Sequence, residues 1–228
     1  MNIRVISVIS LICLFVIASI MLIFSVSGGM SLDKAYANGN VLVVQKTDAG
    51  TIPHEVDITN NGNSTINVKK GNMLSSSLSQ DLVIAEDKQI NKNSTGTIKA
   101  YGIEPTKRAV ANTKLLPVNN TINSINKLLN NSDPYNAQNA YNTQLEIWVI
   151  VSGGNLNPYT GEPVDVVQTK GITWTQFRQN LADAKNNVMT TFNITESEIP
   201  NLNQTSNPNS SNWINDTINR IKSILNLK

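Results

Sequence analysis

The chain has 228 residues, enough for one full core or two small ones, and 40% of them are hydrophobic, which permits a packed interior. Only 15% are charged and the formal net charge is +2, so no basic block can neutralise a run of phosphates, and nucleic acid is not an expected partner. The polar surface comes instead from Asn, Ser and Thr, in tracts such as Asn119-Asn120, Asn130-Asn131 and Asn186-Asn187.

The first segment reads as an export signal. Arg4 supplies a positive start, and Val5 to Val26 is an apolar run broken only by small Ser residues. A polar stretch, Ser27 to Lys34, leads to Ala35-Tyr36-Ala37, which fits the small-x-small pattern that signal peptidase accepts. Residues 1–37 are therefore expected to be a signal peptide, with a mature chain from Asn38, or an N-terminal membrane anchor, since the run reaches the ~18 residues that can span a bilayer. Either reading places the rest of the chain outside the cytoplasmic membrane, secreted or at the cell surface. The only cysteine, Cys13, lies inside the apolar run, so the mature chain is cysteine-free. Disulfides, thiolate metal sites and a cysteine nucleophile are excluded together.

Residues 38–104 carry short Val- and Ile-rich segments bounded by Asn, Gly or Asp: "VLVVQKT", "HEVDIT", "STINVKK", "DLVIAED" and "TGTIKAYGI". The turn residues "NNGN" between the second and third suit a hairpin, because Asn and Gly tolerate positive φ. This spacing predicts an antiparallel β-sandwich or barrel.

After Pro105 the period shifts towards that of a helix, and residues 105–200 are expected to form a layer of about three helices packed on the β part, an α+β fold. Ile122, Ile125, Leu128 and Leu129 line one face of a first helix. Asp133, followed by Pro134, reads as the N-cap of a second, which Gly153-Gly154 ends, although "EIWVIVS" alone is also strand-like. Val164 to Val167 suggests a further strand. Thr173 and Gln176 stand in capping-box spacing ahead of Phe177, Leu181, Ala184, Val188 and Phe192, the third helix. Residues 201–228 read as an Asn/Ser-rich linker and a C-terminal amphipathic helix, Trp213 to Leu227, with Ile214, Ile218, Ile221 and Leu225 on its apolar face.

No catalytic constellation stands out. His54 is the only histidine and sits at a predicted strand start, where an exposed edge position is expected rather than a general base. Ser152 lacks the glycine two residues before it that a nucleophile elbow carries, and it follows a helix. Glu104, Glu146, Glu162 and Asp165 are the candidates for a hydrolytic carboxylate pair, but their spacing does not pair them. The oxygen-rich "NLNPYTGEPVD" lacks the glycine and terminal glutamate of a helix-loop-helix calcium loop and reads as a turn. No catalytic residue, metal or cofactor is expected.

Two motifs, "AYGIEP" and "NTQLEIW", resemble the thioester domains of Gram-positive surface adhesins. In those domains a cysteine after an aromatic on a strand bonds to the glutamine of a "TQxA" helix ahead of a further aromatic. Thr143, Gln144 and Trp148 fit that pattern, whereas Glu146 replaces the small residue and Gly102 occupies the cysteine position. Without a sulfur at Gly102 no thioester can form. The resemblance implies that Gln144 is either a relic or a structural hydrogen-bonding group, and that a cysteine placed at 102 would face it.

The Asn-rich chain also resembles adhesin-like secreted proteins of methanogenic archaea, which implies a cell-surface role. The expected function is non-enzymatic, adhesin-like binding of a cell-wall or surface component. The alternative is a secreted, carboxylate-dependent glycan hydrolase. Contact with a membrane is expected only through the N-terminal segment, if it is uncleaved.

Overall fold

The computed structural model describes residues 29–118 and 120–203. Strand alternation organises the first half. In β2 (Val41–Gln45), β3 (His54–Asn60), β6 (Leu82–Ile84) and β8 (Ser94–Gly102), residues Val43, Val56, Ile58, Leu82, Ile84, Ile98 and Ala100 turn into one apolar core. Their neighbours Val83 and Tyr101, with Met73 of β5 (Met73–Ser75), turn out of the other face and meet the helices. A period of two thus gives one sheet two cores, because successive side chains on a strand point to opposite faces.

The main sheet is antiparallel with the order β2-β3-β8-β6-β5-β9, where β9 is Leu116–Val118. It is nearly closed. Residues leading into β9 return to β2 through the Val44–Lys114 bridge and the backbone bonds Gln45 N to Thr113 O (2.9 Å) and Leu115 N to Val43 O (3.0 Å). The β part therefore extends past residue 104, to Val118.

A second sheet orders β1 (Met30–Ser31), β4 (Ile66–Val68) and β7 (Lys88–Ile90), and caps the same core with Ile66, Val68 and Ile90. Here "NNGN" departs from expectation: β3 and β4 lie in different sheets, so it makes a corner and not a hairpin turn. Asn60 explains this. Its Nδ2 donates to the carbonyls of Ser64, Ile90 and Asn91, and its Oδ1 accepts from Gly62 N at 2.9 Å, so one buried side chain pins the crossing.

The folded body also begins earlier than Asn38. Strand β1 and helix α1 (Leu32–Ala37) belong to it, with Leu32 and Ala35 buried in the β core. The expected boundary at 37/38 falls inside this packed unit.

The helical layer contains α2 (Asn123–Asn130), α3 (Ala137–Val151), α4 (Glu162–Lys170), α5 (Trp174–Phe192) and a 3₁₀ segment, Glu196–Asn203. Helix α3 is central, lying among β8, α2, α5 and the 3₁₀ segment, and so is buried on most sides. Its N-cap is Asn136, whose side chain accepts from Gln138 N and Asn139 N. Asp133 instead closes the turn before it, accepting from Tyr135 N at 2.9 Å.

The strand expected at Val164 to Val167 is the helix α4. Gly161 (φ 65°) and Gly171 (φ 62°) bracket it, Pro163 stands in its first turn, and Val166 and Val167 are buried against the core. Tertiary burial overrides the β preference of the valines. The capping box of Thr173 and Gln176 opens α5 as expected. The C-terminal linker and amphipathic helix lie outside the described residues beyond 203.

Candidate functional site

Strand β8 and helix α3 bring together the two motif positions, 42 residues apart in the chain. Gly102 ends β8, paired with Leu82 across the sheet, and Gln144 faces it from the buried side of α3. The Gln144 Oε1 accepts from Gly102 N at 2.9 Å, and its Nε2 donates to Gly102 O at 2.7 Å. A carboxamide carries one acceptor and one donor group, so it can satisfy both polar groups of one peptide-bonded residue. Gln144 is a structural hydrogen-bonding group. Trp148, one turn further on, is fully buried, and its Nε1 has no hydrogen-bond partner. Thr143 donates to Ser132 Oγ (3.1 Å), which also bonds the Tyr101 hydroxyl at 2.8 Å.

A side chain at Gly102 would not meet Gln144 first. A Cβ built there runs into the Gln80 carboxamide, touching Oε1 and lying 2.7 Å from Cδ. Gln80 thus fills the space beside the glycine, fully buried, with its Oε1 unpartnered. The expectation that a residue at 102 faces Gln144 is corrected accordingly.

Gln80 joins this pair to a second buried cluster. Its Nε2 lies 3.2 Å from His54 Nε2, and His54 Nδ1 lies 3.2 Å from Thr47 Oγ1. With the Gln80 amide as donor, Nε2 of His54 accepts and Nδ1 carries the proton towards Thr47, whose oxygen also accepts from Glu55 N at 3.0 Å. His54 does start a strand, but at 1% exposure it is buried, not an exposed edge residue. Burial pushes its pKa down to about 4, so it is neutral at pH 7.

Glu162 lies beside it, with Oε1 3.5 Å from His54 Nε2. The side chain is fully buried at the start of α4, and both its oxygens serve the backbone: Oε1 accepts from Gly50 N (2.7 Å) and Oε2 from Ala109 N (2.8 Å). Burial pushes its pKa up to about 7, against the partial compensation of those two N–H groups. Each oxygen thus holds a backbone N–H from a different loop, so the carboxylate clamps the two loops together.

Asp165, three residues on in α4, adds a like charge that helps raise Glu162 but is itself paired with Arg108 at 2.8 Å. Glu104 pairs with Lys107 at 2.9 Å, and Glu146 accepts from Asn187 at 3.2 Å on the α5 side of α3. Burial raises the Glu146 pKa, in part offset by Asn187. Ser152 is the C-cap of α3, its Oγ bonded to Val149 O at 3.3 Å.

Tyr159, half exposed in the turn before α4, stacks at a tilt on Trp174 with ring centroids 4.9 Å apart, and Arg178 Nη1 donates to its hydroxyl at 2.7 Å. A polar pocket of about 200 Å³ lies by the Asn60 corner, lined by Asn40, Asn61, Asn63 and Ser64 among others.

Nothing in the sequence singles out Gln80, since "SQDLV" carries no local sign that its side chain reaches both a glycine and a histidine distant in the chain. Comparison with family models, curated proteins and solved structures returned no match to this chain.

Proposed function

We propose that this is an exported, non-enzymatic, adhesin-like binding domain for a cell-wall or surface component, built like a thioester adhesin domain but without the bond. The observation that carries the reading is the Gln144 clamp on the Gly102 backbone, which brings the two motif positions of the resemblance together through hydrogen bonds, while the side-chain direction at 102 leads to Gln80. Binding is then non-covalent.

The surface that suits such a partner is the Tyr159, Trp174 and Arg178 group. Aromatic faces take the apolar face of a sugar or peptide, and the guanidinium takes an acidic or hydroxyl group beside it. The hydrolase alternative needs two carboxylates facing one cleft, whereas Glu162 spends both oxygens on backbone N–H groups and Asp165 is paired with Arg108.

A glycan and cell-wall array probed with the chain from Gly29 tests the reading. Saturable capture on a defined wall or glycan component, weakened by Tyr159→Ala, is expected. Cleavage of an arrayed glycan, or no capture by any wall component, counts against it.

A further inference from the structure

The sequence around Ala35-Tyr36-Ala37 fits a peptidase site, but the fold uses those residues otherwise. Met30 N donates to Thr65 O at 2.9 Å, and Met30 and Ser31 pair in parallel with Ile66 and Asn67. Leu32 and Ala35 are 0% and 1% exposed in the β core. Asn40 N then donates to Ala35 O at 3.0 Å, the bond that turns the chain from α1 into β2. Even Gly29 is close-packed, since a Cβ there would lie 2.5 Å from the Asn67 side chain. Ala35 is small because it packs in the core. Cutting after Ala37 would remove β1 and α1 together and open the end of the barrel.

Without that cut, the chain runs from the apolar segment into the domain with only Ser27 and Gly28 between Val26 and Gly29. Signal-peptide apolar regions run about 7–15 residues, whereas about 20 span a bilayer, and Val5 to Val26 is 22 residues long. Arg4, on the side that stays inside, sets the orientation.

We propose that the export segment is not removed at Ala37 and that the domain stays covalently joined to it, tethered to the outer face of the cytoplasmic membrane. The linker reaches roughly 10 Å at full extension, which holds the domain close to the lipid. The Asn-rich pocket, lined in part by Met30, lies at the tethered end. The proposal shares only export with the binding reading, not the ligand.

The test is fractionation of the full chain, carrying a C-terminal epitope, from an export-competent cell, with its N-terminal peptide identified by mass spectrometry. The expected result is a protein that resists carbonate extraction, is cut by external protease in intact cells, and yields peptides from upstream of Met30. An N-terminus at Asn38 overturns the proposal, and so does release into the medium after a cut before Gly29. Protection from external protease overturns export itself, and with it both proposals, whereas a null array leaves the tether standing. Ala37→Leu, at an exposed position, blocks the −1 residue of the expected cut without touching the core. It should leave size and fraction unchanged, and a longer precursor seen only in this variant overturns the tether. Leu32→Ala in the naturally processed protein should lower Tm by roughly 5–10 °C, and an unchanged Tm would show that the segment is missing from the mature domain.

Discussion

Gln144 holds Gly102 by both polar groups of its backbone, N–H to Oε1 at 2.9 Å and C=O to Nε2 at 2.7 Å, from a helix to the end of a strand. Both partners are buried, so each bond lost leaves an unsatisfied group with no water to replace it. Gln144→Leu should therefore cost about 2–4 kcal/mol in urea unfolding, and Gln144→Glu, which keeps the acceptor but replaces the donor, should also destabilise. A Leu variant as stable as the natural chain would remove the clamp from the account of the fold.

The absence of a sulfur at 102 has a chemical consequence. Incubation with methylamine should leave the intact mass unchanged, because Gly102 offers no thiol with which Gln144 could form an activated acyl bond. A mass gain localised to Gln144 would contradict the non-covalent reading.

Gly102 and Gln80 should couple. Gly102→Ala places a methyl against the Gln80 carboxamide, which is fully buried and tied to His54, so it should cost roughly 1–3 kcal/mol. Gly102→Cys should do the same and retain its full mass, without the loss of about 17 Da that release of ammonia at Gln144 would bring. Adding Gln80→Ala makes room, so the double variant should be more stable than the sum of the two single losses implies. Strict additivity in the double-mutant cycle would show that the two do not meet.

The β part and the α5 helix were legible because each signal was local: alternation in Val41–Gln45 and His54–Asn60, and a capping box at Thr173. The motif resemblance drew attention to Gly102 and Gln144, but their contact runs through the Gly102 backbone, and the side chain expected to face Gln144 would meet Gln80 instead. What sequence misjudged depended on distant contacts. "NNGN" looks like a hairpin turn until Asn60 is seen binding carbonyls of the β7 end, and Val166 and Val167 look like a strand until the glycines bracketing α4 are placed. His54 looked exposed because nothing nearby in sequence announces Gln80 or Glu162, 26 and 108 residues away.

The exposed aromatic group should carry binding without carrying the fold. Tyr159→Ala removes a half-exposed ring and one bond to Arg178, and it should leave Tm within about 2 °C while reducing capture of the partner at least tenfold. Equal loss of capture in a buried-core variant of matched stability, and none in Tyr159→Ala, would move the binding surface elsewhere.

His54 and Glu162 make opposite contributions to the pH dependence of stability. The His54 pKa falls from 6.5 to about 4 on folding, so between those values the unfolded chain binds the extra proton and stability rises with pH. The Glu162 pKa rises from 4.5 to about 7, so in that window the folded chain holds the extra proton and stability falls as pH rises. Each contribution is on the order of 3 kcal/mol, and between about pH 4.5 and 6.5 the two offset one another. His54→Gln should therefore lose the rising contribution, so that its stability deficit relative to the natural chain grows from pH 4 to 6.5. Glu162→Gln disturbs the bonds from Gly50 and Ala109 and is destabilised throughout, but its deficit should shrink as pH rises from 4.5 to 7, because the natural chain then carries the cost of ionising a buried carboxyl. Urea unfolding midpoints at half-unit pH intervals read both slopes. Parallel curves for the natural chain and both variants would show that neither group changes its affinity for protons on folding.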